Sequence, residues 1–176
     1  TLYQQRPPKA SMLYAVTIPS EGGDTLFANQ YEAYTSLPDN IKKQIQGKKA
    51  VSRSDPISVS ETRKNRIVEQ QNASETPSLH GVHPIVRRHP ETGKDSLFVS
   101  PAHTTEIEGM SLEEGETLLA QLFQYQTEGA IIARQKWRKN DLVIWDNRCL
   151  LHFPLNDYHG HERRLHRITL KGDVPS

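Results

Sequence analysis

At 176 residues the chain has the length of one domain, and 22 Lys and Arg against 21 Asp and Glu leave a net charge of +1 that singles out no polyanionic partner. The short basic run Arg63-Lys64-Asn65-Arg66 has no interleaved aromatics and reads as a solvated face, so nucleic acid is not expected as a partner. Cys149, the single cysteine, excludes an intrachain disulfide and a cysteine-rich zinc site. It suits a reducing, cytoplasmic setting; with no apolar run of membrane-spanning length and no secretory leader before Thr1, the expectation is a soluble protein with no membrane contact. A mean hydropathy of −0.69 is lean for a globular domain and fits a chain missing part of its own core.

In chain order, Ser11 to Ile18 reads as a strand, Pro19 to Asp24 as a turn with two adjacent glycines, and Thr25 to Ala28 as resumed extended chain. Asn29 is placed to cap a short helix over Gln30–Ser36, and Pro38 to open a second one through Gln46. From Ser52 to Ser78 the sequence is polar and aperiodic, the pattern of a mobile lid or binding loop. His83–Arg88 and Ser96–Ser100 flank His89-Pro90-Glu91-Thr92-Gly93 as a hairpin. Ser111 and Glu114 form a capping box ahead of Leu118, Leu119, Leu122 and Phe123 at helical spacing. Strands follow at Ile131–Trp137, Asp141–Trp145, Leu150–Phe153 and Arg164–Leu170. Many short strands with few helices predict a mainly β fold with helical insertions, a sandwich or jelly roll in one domain over residues 1–176.

The chemistry concentrates late in the chain. Trp145-Asp146-Asn147-Arg148 is followed by His152, by Arg163 eleven residues on, and by Arg167 four beyond that. On an extended strand Arg163, Leu165, Arg167 and Thr169 share one face. Facing solvent, two arginines there are ordinary; facing an interior, each guanidinium needs an anion, and its planar fork suits a carboxylate. Spacing alone leaves both open. His89-Pro90-Glu91 sits in a Pro/Gly turn and reads as a hairpin loop, His159-Gly160-His161 as a polar connector, and His80 and His83 as strand-entry packing. Cys149 reads as a small strand residue, Trp137 and Phe123 as core or lid residues. Neither a phosphate loop nor a nucleophile elbow is present.

Three ordered segments carry a resemblance: Gly22-Gly23-Asp24-Thr25 with Ala28-Asn29 and Tyr34; His83-Pro84-Ile85-Val86-Arg87 through Leu97-Phe98-Val99; and Trp145-Asp146-Asn147-Arg148 through His152 to Arg167. From about Arg6 to Asp173 the chain resembles the C-terminal portion of the taurine dioxygenase-like (TauD/TfdA) family of Fe(II)/2-oxoglutarate-dependent dioxygenases. The resemblance implies a double-stranded β-helix (jelly roll) that uses Fe(II), 2-oxoglutarate and O2 on a small anionic organic substrate, a carboxylate or sulfonate, releasing succinate and CO2. It implies that His152 is a metal ligand, that Arg163 and Thr25 hold the co-substrate carboxylate, and that Arg167 anchors the substrate. His103 falls where the family sets a side chain over the substrate, usually an aromatic one. The family also places a His-x-Asp motif just before the segment matched by Arg6-Pro7-Pro8-Lys9-Ala10-Ser11; this chain starts at Thr1 without it, so the expectation is an N-terminally incomplete domain. A non-catalytic β-helix module binding an acidic ligand or a partner chain is the rival reading, and the composition admits a homo-oligomer.

Overall fold

A computed structural model of the chain describes residues 1–54 and 79–176. Its strands are β1 (Ala10–Thr17), β2 (Thr25–Asn29), β3 (Lys49–Arg53), β4 (His80–Pro84), β5 (Val86–Arg88), β6 (Asp95–Leu97), β7 (Thr104–Ile107), β8 (Ile132–Gln135), β9 (Leu142–Asp146), β10 (Leu150–Pro154) and β11 (Arg164–Leu170). Three helices lie among the described residues: α1 (Gln30–Thr35), α2 (Asp39–Ile45) and α3 (Leu112–Glu128). Among the described residues no helix is long and apolar enough to cross a membrane.

The helices begin where side chains can satisfy their first N–H groups. The Asn29 Oδ1 accepts from the Tyr31 N–H at 3.0 Å at the start of α1. At α3 the Ser111 hydroxyl accepts from the Glu114 N–H, while the Glu114 carboxylate accepts from the Ser111 N–H. Leu118, Leu119 and Leu122 of α3 then turn inward against Ala33 and Leu37, Ile41 and Ile45, and Ala50, Ile85, Leu97, Val99 and Ile107 from the strands. This apolar core lies on the helical side of the molecule.

Gln126 closes the same helix face with polar bonds. Fully buried, its Nε2 donates to Gln30 Oε1 at 2.7 Å and to the Val99 carbonyl at 2.9 Å, and Gln30 in turn donates to the Ala28 carbonyl. α3 is thus tied to β2 through two amides. Gln126→Leu is expected to cost about 1–2 kcal/mol in denaturant unfolding, because Gln30 Oε1 and the Val99 carbonyl lose a buried donor. A change inside about 0.5 kcal/mol would show that the amides are not coupled to stability.

Two three-stranded antiparallel sheets, β11-β1-β9 and β10-β2-β8, carry the chemistry-bearing residues. Register puts Ser11, Leu13, Val143, Trp145, Leu165, Arg167 and Thr169 on one face of the first sheet. Thr25, Phe27, Ala133, Gln135 and His152 share one face of the second. Those two faces look at each other: the Phe27 and Trp145 rings meet edge to face at 5.3 Å. The fold is mainly β with few helices, a jelly-roll sandwich. The opposite face of β11-β1-β9, with Tyr14, Leu142, Ile144, Ile168 and Leu170, is apolar and exposed among the described residues, so the lean core has a counterpart in apolar side chains left open.

Some boundaries differ from the sequence reading. The single strand expected over His83–Arg88 divides at Ile85, whose N–H donates to the Lys48 carbonyl; β4 pairs with β3, and β5 pairs with β6 in another sheet. Pro84, which has no N–H, stands at the switch. β3 and β7 were not anticipated, because their inward residues include Ala50, Ser52 and Thr104 rather than a run of large apolar ones. Ser52, expected to start the polar excursion, is buried in β3 with its hydroxyl 3.0 Å from that of Thr104. The excursion's residues 55–78 lie outside the described residues.

Candidate active site

The turn before β2 sets the site's first edge. Gly22 and Gly23 have φ of +75° and +71°, a region that L side chains rarely adopt. Space demands glycine as well. A Cβ on Gly22 would meet the Asp157 carbonyl at 2.6 Å, and one on Gly23 would meet Cδ of Arg163 at 2.9 Å. The Gly23 N–H donates to the Asp157 carboxylate at 2.7 Å, and the Arg163 Nε donates to the Gly23 carbonyl at 2.9 Å. A segment from the end of the chain is thereby held on a turn near its beginning.

Arg163 sits just ahead of β11 rather than within it. Half-buried, its guanidinium stands 5.6 Å from the Tyr158 ring centre, and Nη2 donates to Thr25 Oγ1 at 3.4 Å. Thr25 is 1% exposed, and the same oxygen accepts from the indole N–H of Trp137 at 3.0 Å. The structure thus brings Arg163 and Thr25 together, and adds Trp137, Tyr158 and Asp157, which sequence reasoning had not assigned to the site. One signal could have found Trp137, since a buried indole N–H requires an acceptor.

His152 lies on the same sheet face as Thr25, one pleat along the neighbouring strand: Pro154 pairs with Thr25 and His152 with Phe27. Its ring is exposed at the edge of the interlayer space, 5.0 Å from the Trp145 ring and 6.4 Å from that of Phe27. Beside it opens a cleft of about 380 Å³ lined by Phe27, Asn29, Ala133, Gln135, Val143 and Trp145. Arg167 pairs with Leu13 and is on the inward side of its sheet, but it is exposed. The single cationic strand face expected from spacing is therefore two environments, with Arg163 pinned in the turn before the strand and Arg167 open on it.

His103 is carried by a different sheet. It occupies the turn before β7, in the β4-β3-β7 layer, buried with its ring edge-on to Tyr3 at 5.3 Å. Its N–H donates to the Ser100 carbonyl, and its own carbonyl accepts from the Arg53 N–H.

Trp145-Asp146-Asn147-Arg148 builds the reversal that delivers His152. Asn147 Nδ2 donates to the Pro8 carbonyl and to the Ser11 hydroxyl, fastening the turn to the strand entry of β1. Asp146 accepts from the backbone and the guanidinium of Arg148, with Nη2 at 2.6 Å, and Arg148 also reaches Glu91 at 3.0 Å. His89, buried in its hairpin, accepts at Nδ1 from the N–H groups of Glu91 and Thr92, so Nε2 carries the proton donated to Asp146. Burial pushes the Asp146 carboxyl up, but the Arg148 and His89 hydrogen bonds outweigh it and hold it at about 2.

A depressed carboxylate stabilises the fold above its unfolded pKa, and that stability is lost as pH falls. Between about pH 4 and pH 2 the wild-type protein should lose about 2 kcal/mol through Asp146. Asp146→Asn should be less stable at neutral pH and show a shallower acid limb in that window. Parallel acid limbs in the two proteins would contradict this.

His89, Asp146 and Cys149 offer donor atoms within 4.8 Å of one another. Both His89 ring nitrogens are engaged, a guanidinium already occupies Asp146, and burial pushes the Cys149 thiol up and keeps it protonated. This cluster is a structural lock and not a metal centre. Among the described residues the group of potential metal ligands does not include His152, and no second histidine and carboxylate gather with it, so these residues do not make a complete iron site.

The model of the family described as "Taurine catabolism dioxygenase TauD, TfdA family" matches residues 1–169. An alpha-ketoglutarate-dependent 2,4-dichlorophenoxyacetate dioxygenase of Burkholderia sp. (strain RASC) is 36% identical over 172 residues, covering 97% of this chain and 56% of the relative. An alpha-ketoglutarate-dependent sulfate ester dioxygenase of Pseudomonas putida is 33% identical over 176 residues, covering 96% and 56%. The crystal structure of a taurine dioxygenase from Burkholderia xenovorans superimposes with a TM-score of 0.82 at 35% identity, covering 98% of this chain and 55% of that one. The chain spans about half the length of the curated relatives it matches.

Proposed function

The chain belongs to the taurine dioxygenase TauD/TfdA family, and we propose that the whole protein is an Fe(II)- and 2-oxoglutarate-dependent oxygenase that hydroxylates a small anionic organic substrate. Membership brings an enzymatic family whose relatives are alpha-ketoglutarate-dependent dioxygenases, and hence the pairing of Fe(II) with 2-oxoglutarate. The observation that supports the co-substrate role is the Arg163–Thr25 pair. A guanidinium and a buried hydroxyl meet at 3.4 Å on a glycine turn that excludes any other side chain.

In this reading Arg163, through its planar fork, and Thr25, through its hydroxyl, would hold the far carboxylate of 2-oxoglutarate, and His152 would be a ligand of the metal. Iron with 2-oxoglutarate and O2 would supply the oxidising chemistry, one oxygen atom of O2 ending in succinate as CO2 is lost and the other in the substrate, where a C–H bond becomes C–OH. The residues of this chain bind and orient. Arg163 and Thr25 fix one end of the acid, Phe27 and Trp145 wall the imidazole and keep water from its flanks, and Arg167 stands on the opposing sheet as the anchor for a substrate anion. His103, buried against Tyr3, would reach the substrate from the β4-β3-β7 layer.

The relatives' names specify a phenoxyacetate, a sulfate ester and taurine. Aryloxy-acids, alkyl sulfate esters and amino-sulfonates, each beside a neutral amide or alcohol analogue, are therefore the panel for the full-length protein. Succinate release should depend on Fe(II), on 2-oxoglutarate and on one of the anions. Turnover of the neutral analogues with equal efficiency would remove the anionic-substrate reading, and binding of 2-oxoglutarate with no turnover of any partner would favour the non-catalytic module.

A further inference from the structure

The hydrogen-bond directions around Thr25 point to a residue outside the three segments that carry the resemblance. Trp137 lies just past β8, 6% exposed, and its indole N–H can only donate; so can the Nη2 of Arg163. Both donate to the one Thr25 oxygen, at 3.0 Å and 3.4 Å. A threonine hydroxyl has two acceptor lone pairs and one proton. With both lone pairs engaged, the O–H can serve only as a donor. We propose that Trp137 is a positioning residue that, by occupying one lone pair of Thr25, turns its hydroxyl proton toward the bound carboxylate of the co-substrate.

This deepens the reading of Arg163 and Thr25 given above and rests on it. Without the indole N–H, the hydroxyl can rotate and present a lone pair to the acid, which repels a carboxylate instead of donating to it. Trp137 contributes rigidity as well: its partner lies 112 residues earlier in the chain, so the bond fixes the β2 side chain from the far side of β8.

The test uses the full-length protein with Mn(II) as an inert metal, and calorimetric titration with 2-oxoglutarate. Trp137→Phe should weaken 2-oxoglutarate about five-fold, as expected for one lost directing hydrogen bond, while KM for the primary substrate, measured with Fe(II) in place of Mn(II), stays within about two-fold. In a Thr25→Val background, which has no hydroxyl to direct, Trp137→Phe should add less than about two-fold. Thr25→Ser, which keeps the hydroxyl, should restore the dependence on Trp137. Equal losses in both backgrounds, or an unchanged affinity, overturn the inference. Should Trp137→Phe not fold, benzothienylalanine in place of Trp137 keeps the ring shape without the N–H and gives the same readout. Arg163→Lys with unchanged affinity defeats the underlying reading; weakened Arg163→Lys beside unchanged Trp137→Phe defeats this inference alone.

Discussion

Arg163→Lys in the full-length protein should weaken 2-oxoglutarate by about 10- to 150-fold, the equivalent of about 1.5–3 kcal/mol for a charged hydrogen bond, and affect the primary substrate far less. The reason lies in geometry. Nε of Arg163 is committed to the Gly23 carbonyl at 2.9 Å, and Nη2 reaches Thr25, so the planar group is held in one orientation. An ammonium on a flexible stem supplies charge but not two parallel bonds, and it cannot keep the Gly23 contact while also reaching the acid. Titration of both proteins with 2-oxoglutarate checks this, and equal affinities would remove Arg163 from the role.

Arg167→Ala should leave 2-oxoglutarate binding intact but raise KM for an anionic substrate by about 10- to 150-fold on the same scale of charged hydrogen bonds. The side chain stands on the inward side of β11, paired with Leu13, and it is exposed where an incoming anion can meet it. Once the substrate is loosely held, the co-substrate should turn over without hydroxylating it, so succinate release should exceed product formation. The ratio of the two products measures this. A ratio that stays at one with an unchanged KM would show that Arg167 meets no substrate anion.

The parts of the fold legible in the sequence are those encoded by near neighbours. The Ser111–Glu114 capping box, the Asn29 cap and the inward leucines of α3 lie within a few residues of one another, and each forms as its spacing suggests. β11 was bounded correctly because its flanks are polar. β3 and β7 escaped notice because their buried positions include alanine, serine and threonine, which carry little hydropathy signal.

The site followed the same divide. Period-two reasoning put Arg163 and Arg167 on one strand face, yet Arg163 is set by Gly23, 140 residues earlier, and no local pattern can announce such a contact. Thr25, His152 and Arg163 were reached through the family's ordered motifs. Trp137 was not, since a tryptophan near a strand end reads as packing until its N–H is followed to Thr25. His89 looked like a loop residue because it lies in a Pro/Gly turn; burial and three hydrogen bonds make it the pin between that hairpin and Asp146.

In the function proposed above, Arg163 and Thr25 hold the far carboxylate of 2-oxoglutarate and His152 binds the metal. A crystal structure of the full-length protein with 2-oxoglutarate and an inert divalent metal tests it most directly. That carboxylate should lie within hydrogen-bond distance of the Arg163 guanidinium and of the Thr25 hydroxyl, with the His152 imidazole on the metal. A co-substrate bound with its far end away from Arg163 and Thr25 would contradict it.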